Sequence, residues 1–134
     1  MNKFSNETTI QSEFGAMLSA AKSYFETYNQ KKYEFHQCLI LCTAQGEHIT
    51  YPVISSSVDL LKTQECTIVS NLKKSGKVVI KKLVCMWEGE MLDVPSHQFM
   101  TMLCELNAEN KKTEILLRAG TNAYVTKKVA DIIG

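Results

Sequence analysis

The chain has 134 residues, 45% of them apolar, with six glycines and two prolines; this composition points to one soluble globular domain over 1–134 and excludes collagenous and low-complexity classes. A formal charge of +1 supplies no electrostatic reason for nucleic acid or an anionic membrane to be the main partner. The lysine clusters (Lys73-Lys74-Lys77, Lys81-Lys82, Lys111-Lys112, Lys127-Lys128) are offset by intervening acids and read as solvated faces.

Along the chain, Ile10, Phe14, Met17, Leu18, Ala21, Phe25 and Tyr28 recur at helical spacing, which predicts an amphipathic helix over 7–28. Residues 37–43 form a nearly continuous apolar run, as expected of a strand covered on both faces. Ala44-Gln45-Gly46-Glu47 is a turn signal, and 48–54 returns as a second strand, with Pro52 arguing for an edge position or a bulge. Ser55-Ser56-Ser57 offers capping hydroxyls for a helix over 58–74, which Gly76 closes. A third strand is expected over 78–87, then a loop through Glu88-Gly89-Glu90 to Pro95, placed in the first turn of a helix reaching about 107. A fourth strand over 113–118, a short strand-like 123–125 and a closing helix complete the order. Strands alternating with helices after an opening hairpin imply an α/β fold with a mixed sheet and helices on both faces.

Five cysteines, Cys38, Cys42, Cys66, Cys85 and Cys104, include no C-x-x-C pair and sit mostly in apolar settings. Reduced thiols acting as small apolar residues are the reading, which favours a reducing cytoplasm. The first residues carry no apolar signal core, and no run approaches membrane-span length.

Two segments bear on chemistry: Lys62-Thr63-Gln64-Glu65-Cys66 and Val94-Pro95-Ser96-His97-Gln98-Phe99. In the zinc-dependent nucleoside deaminases, a Cys-Ala-Glu or His-Ala-Glu at a helix start supplies one metal ligand and the catalytic acid, and a later Pro-Cys-x-x-Cys supplies two more ligands. The chain resembles that family, in particular the cytidine and blasticidin S deaminases, in the order, separation and flanks of these segments. Thr63-Gln64-Glu65-Cys66-Thr67-Ile68-Val69 lies over C-A-E-R-T-A-I, and residues 95–106 lie over P-C-G-A-C-R-Q-V-L-x-E-F. Tyr33-Glu34-Phe35 and the Gly46 turn resemble the family's opening S-N-F and T-x-D-G. The resemblance implies a three-layer α-β-α sandwich with a mixed sheet of about five strands.

It also implies a contrast. Glu65 and Pro95 stand where the family has its acid and its proline, whereas Thr63, Ser96 and Phe99 occupy the three ligand positions. The family's ribose-binding N-x-E falls at about Val53 and Ser55, and the family's Leu-Leu-Pro ending is absent from Ile132-Ile133-Gly134. Hydroxyls are poor zinc ligands beside thiolate or imidazole, and a phenyl ring has no lone pair to offer. Bound zinc brings the pKa of its water from 15.7 to about 7, a gain on the order of 10 kcal/mol. A lone acid/base such as Glu65 contributes about 3–5 kcal/mol, so it cannot replace the ion. His97 and Cys66 each adjoin a lost ligand position but are rotated by roughly 100° around their helices, away from it.

The resemblance therefore implies a deaminase scaffold without its metal site: no cofactor, Glu65 as a vestigial acid/base, and a residual pocket bordered by Phe35, Pro95 and His97. Glu65 has two readings, an acid able to bond an amidine-like base edge, or a structural group that caps backbone N–H groups or pairs with Ser96 or His97. Trp87 borders the same loop, as a lid aromatic or as packing against the next helix. The function expected is a non-catalytic binding or assembly homologue, partnered by itself as a homodimer or homotetramer, or by an active paralogue, with a small nucleoside-like molecule as the possible ligand. The alternative is an active cytidine- or blasticidin S-type deaminase with an unrecognised metal arrangement.

Overall fold

A computed structural model describes residues 12–28, 35–121 and 123–134. Its order is α1 (Ser12–Thr27), β1 (Phe35–Thr43), β2 (His48–Ser55), α2 (Val58–Ser75), β3 (Ile80–Trp87), β4 (Met91–Leu92), α3 (His97–Leu106), a 3-10 turn at Ala108–Lys112, β5 (Glu114–Arg118), β6 (Tyr124–Lys128) and α4 (Val129–Ile133). The expected helix start at 7–11 lies outside the described residues. The strands form one mixed sheet in the order β2-β1-β3-β5-β6, with β4 pairing the end of β3. β1 is antiparallel to both β2 and β3, β3 and β5 are parallel, and β5 and β6 are antiparallel. This is the α-β-α arrangement expected from the sequence.

β1 is apolar nearly throughout because both of its faces are covered. Cys38, Ile40 and Cys42 pack with Phe14, Met17, Leu18 and Ala21 of α1, the helix's i, i+3, i+4, i+7 stripe. Leu39 and Leu41 point the other way, into the core with Leu61, Ile68 and Leu72 of α2 and Phe99, Met100 and Leu103 of α3.

β2 is an edge strand, which is where Pro52 can sit without depriving a neighbour of a backbone donor. That edge is partly closed by α2: Ile54 donates its N–H to Gln64 Oε1 at 3.2 Å, and Gln64 Nε2 donates back to the Ile54 carbonyl. Gln64 thus stands in for a strand residue. Ser57 is the cap of α2, its hydroxyl accepting from Leu60 N–H, and Gly76 ends the helix at φ 77° with its N–H turned back to Leu72 and Lys73.

Two local readings are corrected and one element is new. Pro95 precedes the helix cap, which is Ser96, so it directs the approach to α3 and is not in its first turn. The expected loop after Trp87 carries the two-residue strand β4, folded back through Gly89 and Glu90, both at positive φ. A 3-10 turn fills the gap between α3 and β5 around buried Asn110, whose Oδ1 accepts from Ile80 N–H and whose Nδ2 donates to the Val78 and Leu103 carbonyls, each at 2.8 Å.

Candidate functional site

The helix starts at Ser96 and the middle of α2 bring two polar side chains together inside the sheet–helix layer. Ser96 caps α3, accepting from the Phe99 N–H at 3.0 Å, and the same hydroxyl donates to Glu65 Oε1 at 2.8 Å. The Glu65 side chain is buried, and among the described residues its second oxygen, Oε2, has no partner. Among the described residues no lysine or arginine pairs with it; Lys62, on the outer part of α2, acts only through space. Burial therefore holds the Glu65 carboxyl above the ordinary range, partly offset by the Ser96 bond and the Lys62 charge. The Ser96 end of α3 is a helix N-terminus, where a partial negative charge on the carboxyl is best tolerated.

Gln37 and Cys85 belong to the same interior. Gln37 lies on β1 in the parity of Leu39 and Leu41, so its side chain enters the layer that holds α2 and α3. The Cys85 thiol donates to Gln37 Oε1 at 3.0 Å, and Gln37 Nε2 is buried without a partner among the described residues. Burial raises the Cys85 thiol well above its usual value, with Asp93, Cys38 and Glu65 adding to it. Among the described residues the interior thus holds two buried polar atoms without a partner, Glu65 Oε2 and Gln37 Nε2. Such a set can bind a small polar group or a water.

The three positions of the metal-ligand comparison point to different environments. Thr63 is exposed and its hydroxyl donates to the Asp59 carbonyl one turn back, at 3.0 Å. Ser96 is engaged as described. Phe99 is among the largest fully buried side chains and belongs to the core with Leu39, Cys85 and Leu103. A hydroxyl bound to its own helix, a hydroxyl bound to a carboxyl, and a hydrocarbon ring do not make a zinc donor set.

Pro95 is buried beside the cap. His97 is exposed, its Nδ1 lying 3.4 Å from Thr101 Oγ1, and it takes no part in the Glu65 cluster. Cys66 is also outside, with its sulfur 3.8 Å from Met102 Sδ and 3.9 Å from Gln98 Nε2. Phe35 begins β1 opposite Ser55; its side chain lies outside the described residues. Val53 is core, and the Ser55 hydroxyl donates to the Ser57 carbonyl at 2.6 Å. Trp87 ends β3 half-buried against the α2/α3 core. Gln37, Gln64 and Cys85 were not singled out from sequence, although a glutamine at an inward parity within an apolar strand is a readable signal.

No protein-family model matches the chain, and no curated protein matches it. Solved structures do. Cytidine deaminase from Mycobacterium leprae matches at 15% identity and a TM-score of 0.65, over 90% of this chain and 96% of that one. Cytidine deaminase from Mycobacterium tuberculosis matches at 14% identity and a TM-score of 0.60, over 89% and 92%. Cytidine deaminase from Burkholderia pseudomallei matches at 16% identity and 0.61, over 88% and 94%. The fold is cytidine deaminase-like.

Proposed function

We propose that this cytidine deaminase-like chain is a non-catalytic binding or assembly module in which the zinc position has been replaced by protein. The observation that carries the reading is the Phe99 ring, wholly buried in the core one turn from Ser96. A ring there puts carbon where a ligand and its ion would need space. Ser96 and Thr63 add to it, because each hydroxyl already has a partner. Without a Lewis acid, Glu65 supplies at best general acid–base assistance of about 10²- to 10⁴-fold, far short of what hydrolytic deamination requires.

What the module binds follows from the same interior. Glu65 Oε2 and Gln37 Nε2 offer one acceptor or acid and one amide donor, which suits a ligand edge that both donates and accepts, such as that of a nucleobase. The module assembles with copies of itself, or with an active paralogue, through faces outside this interior. The exposed Val58 and Leu60 at the start of α2 and Met91 on β4 are apolar side chains available to such a contact.

Ammonia release from cytidine, deoxycytidine and blasticidin S, with zinc supplied, tests the proposal. The expected result is no turnover above buffer. Turnover that disappears in Glu65→Gln would establish the alternative, an active deaminase.

A further inference from the structure

On the other face of the sheet, several residues farther along β1 than Gln37, three donors of different chemistry meet. Glu13 comes from the first turn of α1, Cys42 from the end of β1 and His48 from the start of β2. One donor atom from each lies within 4.8 Å of the other two. The Cys42 thiol donates to Glu13 Oε2 at 2.9 Å, and His48 Nε2 is 3.7 Å from the same oxygen. Cys42 and His48 are directly paired across the antiparallel ladder, so the hairpin fixes them side by side. We propose that Glu13, Cys42 and His48 form a binding site for a divalent transition metal of borderline softness, zinc above all, distinct from the Glu65 interior.

The spacing suits the ion. Zinc bonds of about 2.0–2.3 Å in a tetrahedron place neighbouring donors roughly 3.3–3.8 Å apart; the Glu13–His48 pair at 3.7 Å is already there, the Cys42–Glu13 pair at 2.9 Å must open slightly, and the remaining pair lies within 4.8 Å. The donor set selects the metal class. Lys82 Nζ sits 3.0 Å from Glu13 Oε1 and neutralises the one carboxylate. Calcium and magnesium, which want several anionic oxygens, gain little in such a place. A metal that forms a strong bond to sulfur gains from Cys42 what Lys82 takes away.

Exposure completes the geometry. The Cys42 side chain is buried, whereas those of Glu13 and His48 are 31% and 32% accessible, so the fourth coordination position faces water. Binding is proton-balanced: the metal displaces the thiol proton, which leaves to solvent, while the Glu13 carboxylate and a ring nitrogen of His48 each donate a lone pair. Other charges facing the site are the lysines at 81 and 82 on β3, and both weaken a cation there.

Titration of the full chain with Co²⁺, followed by displacement with Zn²⁺, reads the site directly. We expect one ion per chain and a thiolate-to-cobalt charge-transfer band. Cys42→Ser should abolish the band. His48→Ala, at an accessible edge-strand position where folding is not at stake, should weaken affinity roughly tenfold or more. Lys82→Gln should tighten it, whereas Cys66→Ser and His97→Ala, the other exposed soft donors, should leave it within twofold. The proposal is overturned if no band forms, if His48→Ala binds like the parent, or if binding is lost in Cys66→Ser or His97→Ala. Ammonia release is not read in this titration, so its outcome is independent of the deaminase assay.

Discussion

Glu65 concentrates the physical argument at the scale of single residues. Burial raises its carboxyl above the ordinary 4.5, so the folded chain holds that proton more tightly than the unfolded one. Stability must then fall as pH climbs from the usual carboxylate range through the raised native value. Glu65→Gln keeps an acceptor for Ser96 and removes the titration. The variant should be more stable than the parent near neutral pH and converge with it below the carboxylate range, read from urea midpoints over a pH series. A parent that gains stability over the same rise would mean that Glu65 is paired with a cation. Phe99 makes the complementary case. Phe99→Ala leaves a cavity where the ring was and should cost about 3–5 kcal/mol in chemical denaturation. A loss below 1 kcal/mol would mean that the ring is not core.

At the scale of elements, hydrogen bonds at the ends of helices set the register of the layers. Asn110 ties the last turn of α3, the approach to β3 and the first residue of β3 through three bonds. At about 1 kcal/mol net per bond, Asn110→Ala should destabilise by about 3 kcal/mol, checked by thermal or urea unfolding. On the opposite face, Glu13 joins α1 to the hairpin and to β3. Its carboxyl is lowered to about 2, chiefly by the Cys42 and Lys82 hydrogen bonds. That contribution is complete above the ordinary 4.5 and fades as pH falls toward about 2. Glu13→Gln should therefore be less stable than the parent at neutral pH, with the gap closing only in strong acid.

These ties also show what the sequence made legible. Period and punctuation carried the element order: the α1 stripe, the Gly46 turn, the edge proline and the Gly76 stop are local signals, and the structure places each where the pattern does. Asn110 and Gln64 were silent because their partners lie well away in sequence, whereas Gln37 carried a readable signal, an amide at an inward parity of an apolar strand. An asparagine between Glu109 and Lys111 reads as surface until Val78, Ile80 and Leu103 are seen to surround it. Pro95 was placed in the first turn and lies instead just before the cap Ser96, because proline marks a helix entry without saying on which side of the cap it stands. The Glu13–Cys42–His48 cluster needed the register of β1 against β2 and the position of α1, neither of which spacing reveals.

Considered whole, the molecule keeps a cytidine deaminase-like sheet and helices at about 15% identity to a solved enzyme. Its layers are filled by ordinary aliphatic and aromatic packing, and no helix among the described residues is long and apolar enough to cross a membrane. In the reading proposed above, what separates it from a metallohydrolase is a change of material at one helix junction, where the Ser96 hydroxyl and the Phe99 ring stand at the edge of and within the core. If assembly is the retained property, the purified chain should sediment as a dimer or tetramer, and charged replacements at Val58 and Leu60 should release monomers. A monomeric parent would instead favour the interior ligand as the reason for keeping the fold.

The most direct measurement is anomalous scattering at the zinc edge from crystals of the chain soaked in Zn²⁺. Zinc density is expected between Glu13, Cys42 and His48, with the Phe99 ring filling the space next to Ser96. A tetrahedral zinc held beside Glu65, with Phe99 displaced from the core, would contradict it.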